Sequence, residues 1–344
     1  MELMLFHKIL SFVIIISFGL MNLSYSRYQK SQENIHIDLN KIMSKKKITI
    51  IVTDSGLGGM SVCAGIEEKL NEEKSFEEVN LIYFNSHAEK GSGYNSMPNM
   101  ERKAEVFNDA LLSMEEKYSP DLILIACNTL SVVYPFTEFK EKSQTPVLGI
   151  VDYGVDMILS EYNKNKNSEI ILMGTETTIN SETHKNKLMN AGVSENNIIS
   201  QACPGLESAI QNGPTTEKTI EYINKFVNLS VNQLKDSNEP VFAAFCCTHY
   251  GFSTELIQAS FNDATKREVK ILNPNSAMIE VIISKEKKEI YKDFKMNVKV
   301  VSRAEITDTE KIAISEIIKP FAPLSAEALM NYEHNLELFK FVKQ

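Results

Sequence analysis

One stretch of the chain, residues 122–131, joins the pattern of a buried strand to a set of reactive side chains. Four aliphatic residues, Leu122 to Ile125, are followed after Ala126 by the thiol of Cys127, and then by an amide and a hydroxyl. An unbroken aliphatic run of this length is typical of a strand covered on both faces, as in a parallel sheet. Because open α/β sheets bind ligands at the carboxyl ends of their strands, we expect Cys127 to lie in a functional site.

A second stretch, residues 241–250, repeats this design. An apolar run ends in Cys246 and Cys247, which are followed by Thr248, His249 and Tyr250. Two thiols that each end an apolar strand predict a pair of matched sites. We therefore expect Cys127 and Cys247 to face each other across one substrate.

The remaining pattern alternates apolar strands with helical segments in two rounds. Predicted strands lie at about 48–52, 79–85, 122–125 and 146–151, and then at 169–173, 198–202, 241–245 and 269–274. Alternation of this kind implies parallel strands joined by helical crossovers. The predicted fold class is α/β, with two pseudo-symmetric domains built on central, mainly parallel sheets and the active site in the cleft between them. A further strand is predicted at 298–302 and a helical tail from 308 onward.

The turn after the first strand, residues 53–62, is rich in glycine and runs into a helix. Glycines in such a turn let the backbone approach a ligand and expose N–H groups at a helix N-terminus, which favours anions. Asp54 ends the strand and is predicted to point into the same crevice as Cys127. The turn does not match the dinucleotide-binding fingerprint. Ser61 stands at the position of its third glycine, and Asp54-Ser55 stands where an apolar residue and a glycine are expected.

The charge balance restricts the partners. The formal net charge of −9 argues against nucleic acid and against an anionic membrane surface. No membrane contact is expected beyond a possible leader, and an anionic ligand must be held by backbone N–H groups and by Asn, Thr and Ser side chains.

The beginning of the chain has the pattern of a signal peptide. Lys8 precedes an apolar run from Ile9 to Met21, and Ser24-Tyr25-Ser26 is a plausible cleavage site. We therefore predict export, to the periplasm, whereas translation from Met43 predicts a cytoplasmic protein.

These observations predict the organisation of the chain. The predicted parts are a leader over 1–26, a polar spacer over 27–46, a first α/β domain formed by 47–150 together with 270–344, and a second α/β domain over 151–269.

Two opposed thiols suit one kind of chemistry. Removing the proton from an α-carbon and returning a proton to its other face requires two acid/base groups, and a thiolate and a thiol can alternate in these roles. A carboxylate can relay the proton and an imidazole can stabilise a thiolate. Asp54 and His249 are candidates, and His249 shares a face with Cys247 if the strand stays extended.

Five motifs in order resemble those of glutamate racemases, in the cofactor-independent aspartate/glutamate racemase superfamily. They are Asp54-Ser55-Gly56-Leu57-Gly58-Gly59, Ala126-Cys127-Asn128-Thr129, Gly174-Thr175 with Thr178 and Ser181, Ala202-Cys203-Pro204, and Cys247-Thr248-His249-Tyr250.

The resemblance implies racemisation of a small acidic amino acid without pyridoxal phosphate or any other cofactor. By similarity, Cys127 and Cys247 are the two catalytic bases, with Asp54 and His249 as their assistants. The residues expected to hold the substrate are Ser55, Tyr94, Asn95, Asn128, Thr129, Thr175, Thr178 and Thr248. A homodimer is left open, and no metal site is expected.

The chain also departs from the family pattern. Asn95 stands where a glycine is usual, and the usual second-half glutamate falls on Gln211, which cannot relay a proton. An alternative interpretation is therefore an exported amino-acid-binding protein, or a racemase-like protein of different specificity, that kept the fold and pocket.

Other interpretations of these motifs explain fewer of the residues. Cys63, Cys203 and Cys246 are expected in the core, and the histidines other than His249 are expected to be solvated. A hydrolase that uses Cys247 and His249 leaves Cys127 and Asp54 unexplained.

Overall fold

The computed structural model describes residues 39–283 and 290–343. The predicted leader lies outside these residues, and of the predicted spacer residues 39–43 are helical. The chain from Lys46 onward forms one compact unit, which contains all the site residues discussed below.

All strand pairings in this unit are parallel, as the alternation of strands and helices predicted. The strands are β1 (Lys47–Asp54), β2 (Glu78–Asn85), β3 (Leu122–Ile125), β4 (Val147–Gly149), β5 (Glu169–Gly174), β6 (Ile198–Ala202), β7 (Val241–Cys246), β8 (Val269–Leu272), β9 (Lys295–Ser302) and β10 (Glu333–His334).

Helices connect these strands. They are α1 (Met60–Glu73), α2 (Met100–Tyr118), α3 (Asn128–Val133), α4 (Phe139–Lys142), α5 (Ile150–Tyr162), α6 (Glu176–Asn180), α7 (Thr183–Asn190), α8 (Leu206–Asn212), α9 (Glu217–Val231), α10 (Thr254–Ala264), α11 (Pro274–Ile279), α12 (Asp308–Ile318) and α13 (Pro323–Met330). Short 3₁₀ helices cover Tyr94–Ser96, Tyr134–Phe136, Glu195–Asn197, Thr248–Ser253 and Glu280–Ile282. None of the helices in the described ranges combines the length and the apolar character that a membrane span requires.

The two sheets share one topology. The second sheet has the order β6-β5-β7-β8, and the first has β2-β1-β3-β4 with β9 and β10 added beside β2. Each sheet therefore places the first strand of its half between the second and the third. The pseudo-symmetric α/β fold predicted from the sequence is confirmed at this level.

The second sheet extends slightly past the predicted domain boundary. Strand β8 begins at Val269 and pairs with β7, so residues up to Leu272 belong to the second sheet rather than to the first. The domain division itself stays a prediction.

Apolar side chains cover both faces of the second sheet. Phe245 and Cys247 pack in one cluster with α8 to α10, whereas Ala244 and Cys246 pack in another cluster with α5. Neighbouring strand residues point to opposite faces, so the two adjacent thiols diverge. This arrangement leaves Cys246 in the core, as expected, and excludes it from any site shared with Cys247.

The C-terminal tail is tied to the first sheet and to α1. Strand β10 pairs with β9 at the edge of the first sheet, and the backbone N–H groups of Leu324 and Ser325 donate to the buried carboxylate of Glu67 at 2.9 and 2.6 Å. A carboxylate at the beginning of α13 also interacts favourably with the helix dipole. The tail is therefore an integral part of the compact unit.

Candidate active site

The two thiols predicted to act together open onto one cavity. Cys127 follows β3 and Cys247 follows β7, which is the equivalent strand of the second sheet. Both side chains are buried, and both line a cavity of about 310 Å³. That volume lies at the lower end of the range for small-molecule sites.

Most of the predicted site residues line this cavity. They are Asp54, Ser55, Tyr94, Asn95, Cys127, Asn128, Thr129, Thr175, Cys247, Thr248 and His249.

Thr178 is not among the residues that line the cavity, and its role as a substrate contact stays a prediction. Its side chain is buried, and its hydroxyl lies 3.2 Å from that of Thr129 and 3.0 Å from that of Thr175. It belongs to α6, where the Thr175 hydroxyl accepts from the backbone N–H of Thr178. Thr178 therefore supports two cavity-lining hydroxyls.

Cys127 is surrounded by hydrogen-bond donors. Its Sγ lies 3.2 Å from Ser55 Oγ and accepts from the backbone N–H of Leu130, in the first turn of α3, at 3.5 Å. Burial raises the pKa of the Cys127 thiol to about 12, and the charge of Asp54 acts in the same direction, while the two donors oppose it. Cys127 is therefore a protonated thiol at neutral pH in the ligand-free cavity.

Cys247 has a histidine as its partner. The distance from its Sγ to His249 Nδ1 is 3.7 Å. The predicted proximity is present, but the extended strand that motivated it is not, because β7 ends at Cys246 and a 3₁₀ helix covers Thr248–Ser253. The tight turn brings the ring back to the sulfur.

His249 is a neutral base in this environment. Burial lowers the pKa of its imidazole, although the charges of Asp54 and Glu310 oppose this shift. Burial also raises the pKa of the Cys247 thiol well above its ordinary value, and the charges of Glu207 and Asp54 add to this. A neutral imidazole beside a protonated thiol can take its proton, which produces a thiolate and an imidazolium.

Gln211 contacts His249, the residue that the family's glutamate at this position is expected to assist. His249 Nε2 lies 2.9 Å from Gln211 Oε1, which also accepts from the backbone N–H of Leu57 at 2.8 Å. Gln211 cannot carry a proton, but it orients the imidazole.

Asp54 influences both thiols. Its Oδ2 accepts a hydrogen bond from the Thr248 hydroxyl at 2.7 Å, so it is linked to the residue that follows Cys247. Its charge raises the pKa of both Cys127 and Cys247. The role of Asp54 as a proton relay stays a prediction.

The glycine-rich turn after β1 makes room for the second half of the site. A Cβ on Gly58 would lie 2.5 Å from His249 Nδ1 and 2.7 Å from Thr248 Oγ1, and one on Gly56 would lie 2.8 Å from Gln211 Oε1. The turn was predicted to let the backbone approach a ligand. The structure shows that it lets the backbone approach His249 and Gln211.

A buried histidine holds the amide of Asn128. His184 Nε2 lies 3.2 Å from Asn128 Oδ1, and burial lowers the pKa of His184 to about 4. The neutral ring donates from Nε2, which leaves the Asn128 NH₂ group as a buried donor without a protein partner among the described residues. The prediction of a solvated His184 is wrong, and no local sequence signal connects it with Asn128.

Two further cavity residues were also missed. His87 is half-buried and its Nδ1 lies 2.9 Å from the carbonyl oxygen of Ser55. Burial raises the pKa of Glu207, whose Oε2 is buried without a hydrogen-bond partner in the described part of the chain. Its position one turn before Gln211 on α8 is a signal that a helical-periodicity argument could have used.

Comparison with known proteins agrees with the geometry. The family model described as Asp/Glu/Hydantoin racemase matches residues 50–236. Glutamate racemase of Campylobacter jejuni is 27% identical over 239 residues, which cover 68% of this chain and 84% of that protein.

Solved structures show the same fold. The crystal structure of the Campylobacter jejuni glutamate racemase superposes with a TM-score of 0.59 at 22% identity, covering 80% of this chain and 99% of that one. The Francisella tularensis glutamate racemase, solved in complex with D-glutamate, gives a TM-score of 0.56 at 17% identity. The match covers 84% of this chain and 95% of that one. With the family model matching more than half of its length, this chain belongs to the Asp/Glu/Hydantoin racemase family.

Proposed function

We propose that this protein interconverts L- and D-glutamate without pyridoxal phosphate, by removing the α-proton with one thiolate and returning a proton to the opposite face from the other thiol. One observation carries the proposal. Cys127 and Cys247 follow equivalent strands of two sheets of the same topology, and both line a single small cavity. That arrangement supports a substrate held between two acid/base groups, one on each side of its α-carbon.

In one direction, the reaction begins at Cys247. His249 Nδ1 takes the thiol proton, and the resulting thiolate removes the α-proton of the bound amino acid. Cys127, a thiol at neutral pH, then donates its proton to the opposite face of the α-carbon. The reverse direction begins at Cys127, whose thiolate is stabilised by the Leu130 N–H and the Ser55 hydroxyl.

The carbanion formed between the two transfers needs hydrogen-bond donors for its carboxylate. The free NH₂ group of Asn128, held in place by His184, is one such donor at the cavity wall. The Ser55 hydroxyl is a second. Burial of the site strengthens these interactions by excluding water.

Glutamate is favoured as the substrate by the relatives. The protein from Campylobacter jejuni is a glutamate racemase, and the one from Francisella tularensis binds D-glutamate. Supply of D-glutamate for peptidoglycan is the corresponding biological role, and growth of a D-glutamate-requiring strain on this gene, but not on its Cys127→Ala form, tests it.

The decisive experiment is α-proton exchange in D₂O. The reduced protein is incubated separately with each enantiomer of glutamate and aspartate, beside a Cys127→Ala, Cys247→Ala double variant that controls for contaminating host racemase. We expect deuterium incorporation and enantiomer conversion with glutamate for the wild type alone. Binding of glutamate without any exchange would instead support an amino-acid-binding protein, and exchange with aspartate alone would support a racemase of different specificity.

We further propose that the protein is exported, on the strength of the leader-like pattern of residues 1–26. Mass spectrometry of the mature protein gives the test. A mature chain that begins near Arg27 supports export, and one that begins at Met43 overturns it.

A further inference from the structure

The side-chain amide of Gln211 lies between the active-site histidine and a carboxylate of the C-terminal tail. Gln211 Oε1 is 2.9 Å from His249 Nε2, and Gln211 Nε2 donates to Glu310 Oε1 at 2.7 Å. Glu310 belongs to α12, far from the cavity-lining segments in sequence. A hydrogen-bonded chain therefore runs from Cys247 through His249 and Gln211 to Glu310.

The partners of Gln211 determine which way its amide points. The backbone N–H of Leu57 can only donate, so it requires an oxygen at 2.8 Å, and the Glu310 carboxylate requires a donor. Both requirements place Oε1 against His249. Because that oxygen only accepts, the ring proton of neutral His249 must lie on Nε2, and the lone pair of Nδ1 then faces Cys247 Sγ.

Glu310 is itself held firmly. Its Oε2 accepts from the backbone N–H and from the hydroxyl of Thr307, both at 2.8 Å, in a capping box that begins α12. Its other oxygen is thereby left for Gln211. The following helix, α13, is anchored to Glu67 on α1, so the tail presents Glu310 from a fixed position.

We propose that Glu310 is a positioning residue for His249, acting through Gln211. It holds the imidazole in the tautomer that accepts the Cys247 proton, and its negative charge stabilises the imidazolium that forms when Nδ1 takes that proton. The thiol loses the proton that the ring gains, so the step is balanced within the pair. This inference rests on the proposed two-thiol reaction for its effect on rate, but not for its effect on the histidine.

The first test is a measurement on the wild-type full chain. ¹⁵N NMR of labelled histidine, assigned to His249 with a His249→Gln variant, reports which ring nitrogen carries the proton. We expect the Nε2–H tautomer in the ligand-free protein. An Nδ1–H tautomer for His249 would overturn the proposal without any further variant.

The second test compares two charge-removing changes on the same helix. Glu310→Gln removes the carboxylate that contacts Gln211, whereas Asp308→Asn removes an exposed one whose side chain is 86% accessible and paired with Lys311. We expect Glu310→Gln to lower kcat for glutamate about 10- to 100-fold, the range found for outer partners of metal-ligating histidines. We also expect it to lower the pKa of His249, because the negative charge that favours the imidazolium is removed. Asp308→Asn should leave both unchanged.

A double variant separates charge from structure. Gln211→Glu combined with Glu310→Gln places the carboxylate directly against His249, and we expect it to raise the pKa of His249 again and to restore most of kcat. Wild-type kcat and a wild-type His249 pKa in Glu310→Gln would overturn the proposal. Absence of exchange in the wild type, with the pKa of His249 still responding to Glu310→Gln, would reject the racemase function and retain the positioning role.

Discussion

The two halves of the site have the same architecture but ionise their thiols by different means. Each thiol follows the third strand of a parallel sheet with the same strand order. Cys127 is contacted by donors, the Ser55 hydroxyl and the Leu130 N–H, which can only stabilise a thiolate once it exists. Cys247 is contacted by His249, which can take the proton itself.

Each thiol also has a buried histidine near it, and both histidines come from the second half of the chain. The His249 ring contacts the Cys247 thiol, whereas His184, on α7, contacts Asn128, the residue after Cys127. One histidine therefore serves proton transfer and the other orients a hydrogen-bond donor. Symmetry of the backbone does not impose symmetry of the chemistry.

The largest expected effect comes from removing either thiol. Cys127→Ala and Cys247→Ala should each lower racemisation about 10³-fold or more, because one of the two acid/base groups is lost. Each variant should still exchange the α-proton of one enantiomer without inversion, and the enantiomer should differ between them. Chiral chromatography with NMR in D₂O measures both quantities, and exchange of the same enantiomer by both variants would contradict opposed thiols.

The residues that assist the two thiols should contribute unequally to the rate of α-proton exchange. His249→Leu removes the proton acceptor and should slow exchange through Cys247 about 100-fold. Ser55→Ala removes one hydrogen bond to Cys127 and should slow exchange through Cys127 roughly 10-fold. Each change is introduced into the single-thiol variant that retains its partner, with the other single-thiol variant as the matched control. Equal losses in both backgrounds would mean that the helpers are not specific to one thiol.

The pH dependence of exchange should separate the halves. The Cys127 thiol has a pKa raised to about 12, and in the described part of the chain its sulfur is hydrogen-bonded to the Ser55 hydroxyl and the Leu130 N–H rather than to a base. Its thiolate fraction therefore rises about tenfold per pH unit over the neutral range. In the Cys247 and His249 pair the proton only moves between partners, so the rate is level above the lowered pKa of His249 and falls as pH drops through it. Exchange rates of the single-thiol variants from pH 5 to 8.5 test this. Parallel profiles would contradict it.

A comparison of two glycine substitutions tests how closely the turn after β1 packs against His249. Gly58→Ala places a Cβ 2.5 Å from His249 Nδ1, whereas Gly93→Ala meets only His87 Cε1 at 3.4 Å. We expect Gly58→Ala to lower the free energy of unfolding by about 1–3 kcal/mol and Gly93→Ala to leave it nearly unchanged. Urea unfolding measures the difference. Equal stability of the two variants would show that the segment around His249 shifts to accept the added Cβ with no loss in the free energy of unfolding.

The smallest expected effect is at Glu207. Its charge is the second cause, after burial, of the raised pKa of Cys247. Glu207→Gln removes that charge and should raise kcat/KM for glutamate a few-fold, by easing ionisation of Cys247 and the approach of an anionic substrate. Steady-state kinetics measures it, with Glu176→Gln on the neighbouring α6 as a control. A lower kcat/KM would show that Glu207 binds the substrate instead.

Local patterns in the chain were enough to predict the two sheets, the two thiols and most of the residues that line the cavity. Apolar runs that end in Cys127 and Cys247 are local patterns, and a strand end carries its neighbours Asn128 and Thr248 to the same edge of the sheet. Motif order added the racemase family, because the residue types and their spacing survive at about 27% identity.

The hydrogen-bond partners of the site residues, in contrast, follow from the packing of distant segments. Gln211, Glu310 and His184 reach their partners across 38, 99 and 56 residues, and no periodicity relates such positions. Local reasoning placed His249 beside Cys247 through an extended strand, but a 3₁₀ turn achieves that contact. Strand ends follow from short-range pattern, whereas hydrogen-bond partners depend on how separate elements pack, and packing is a property of the whole chain.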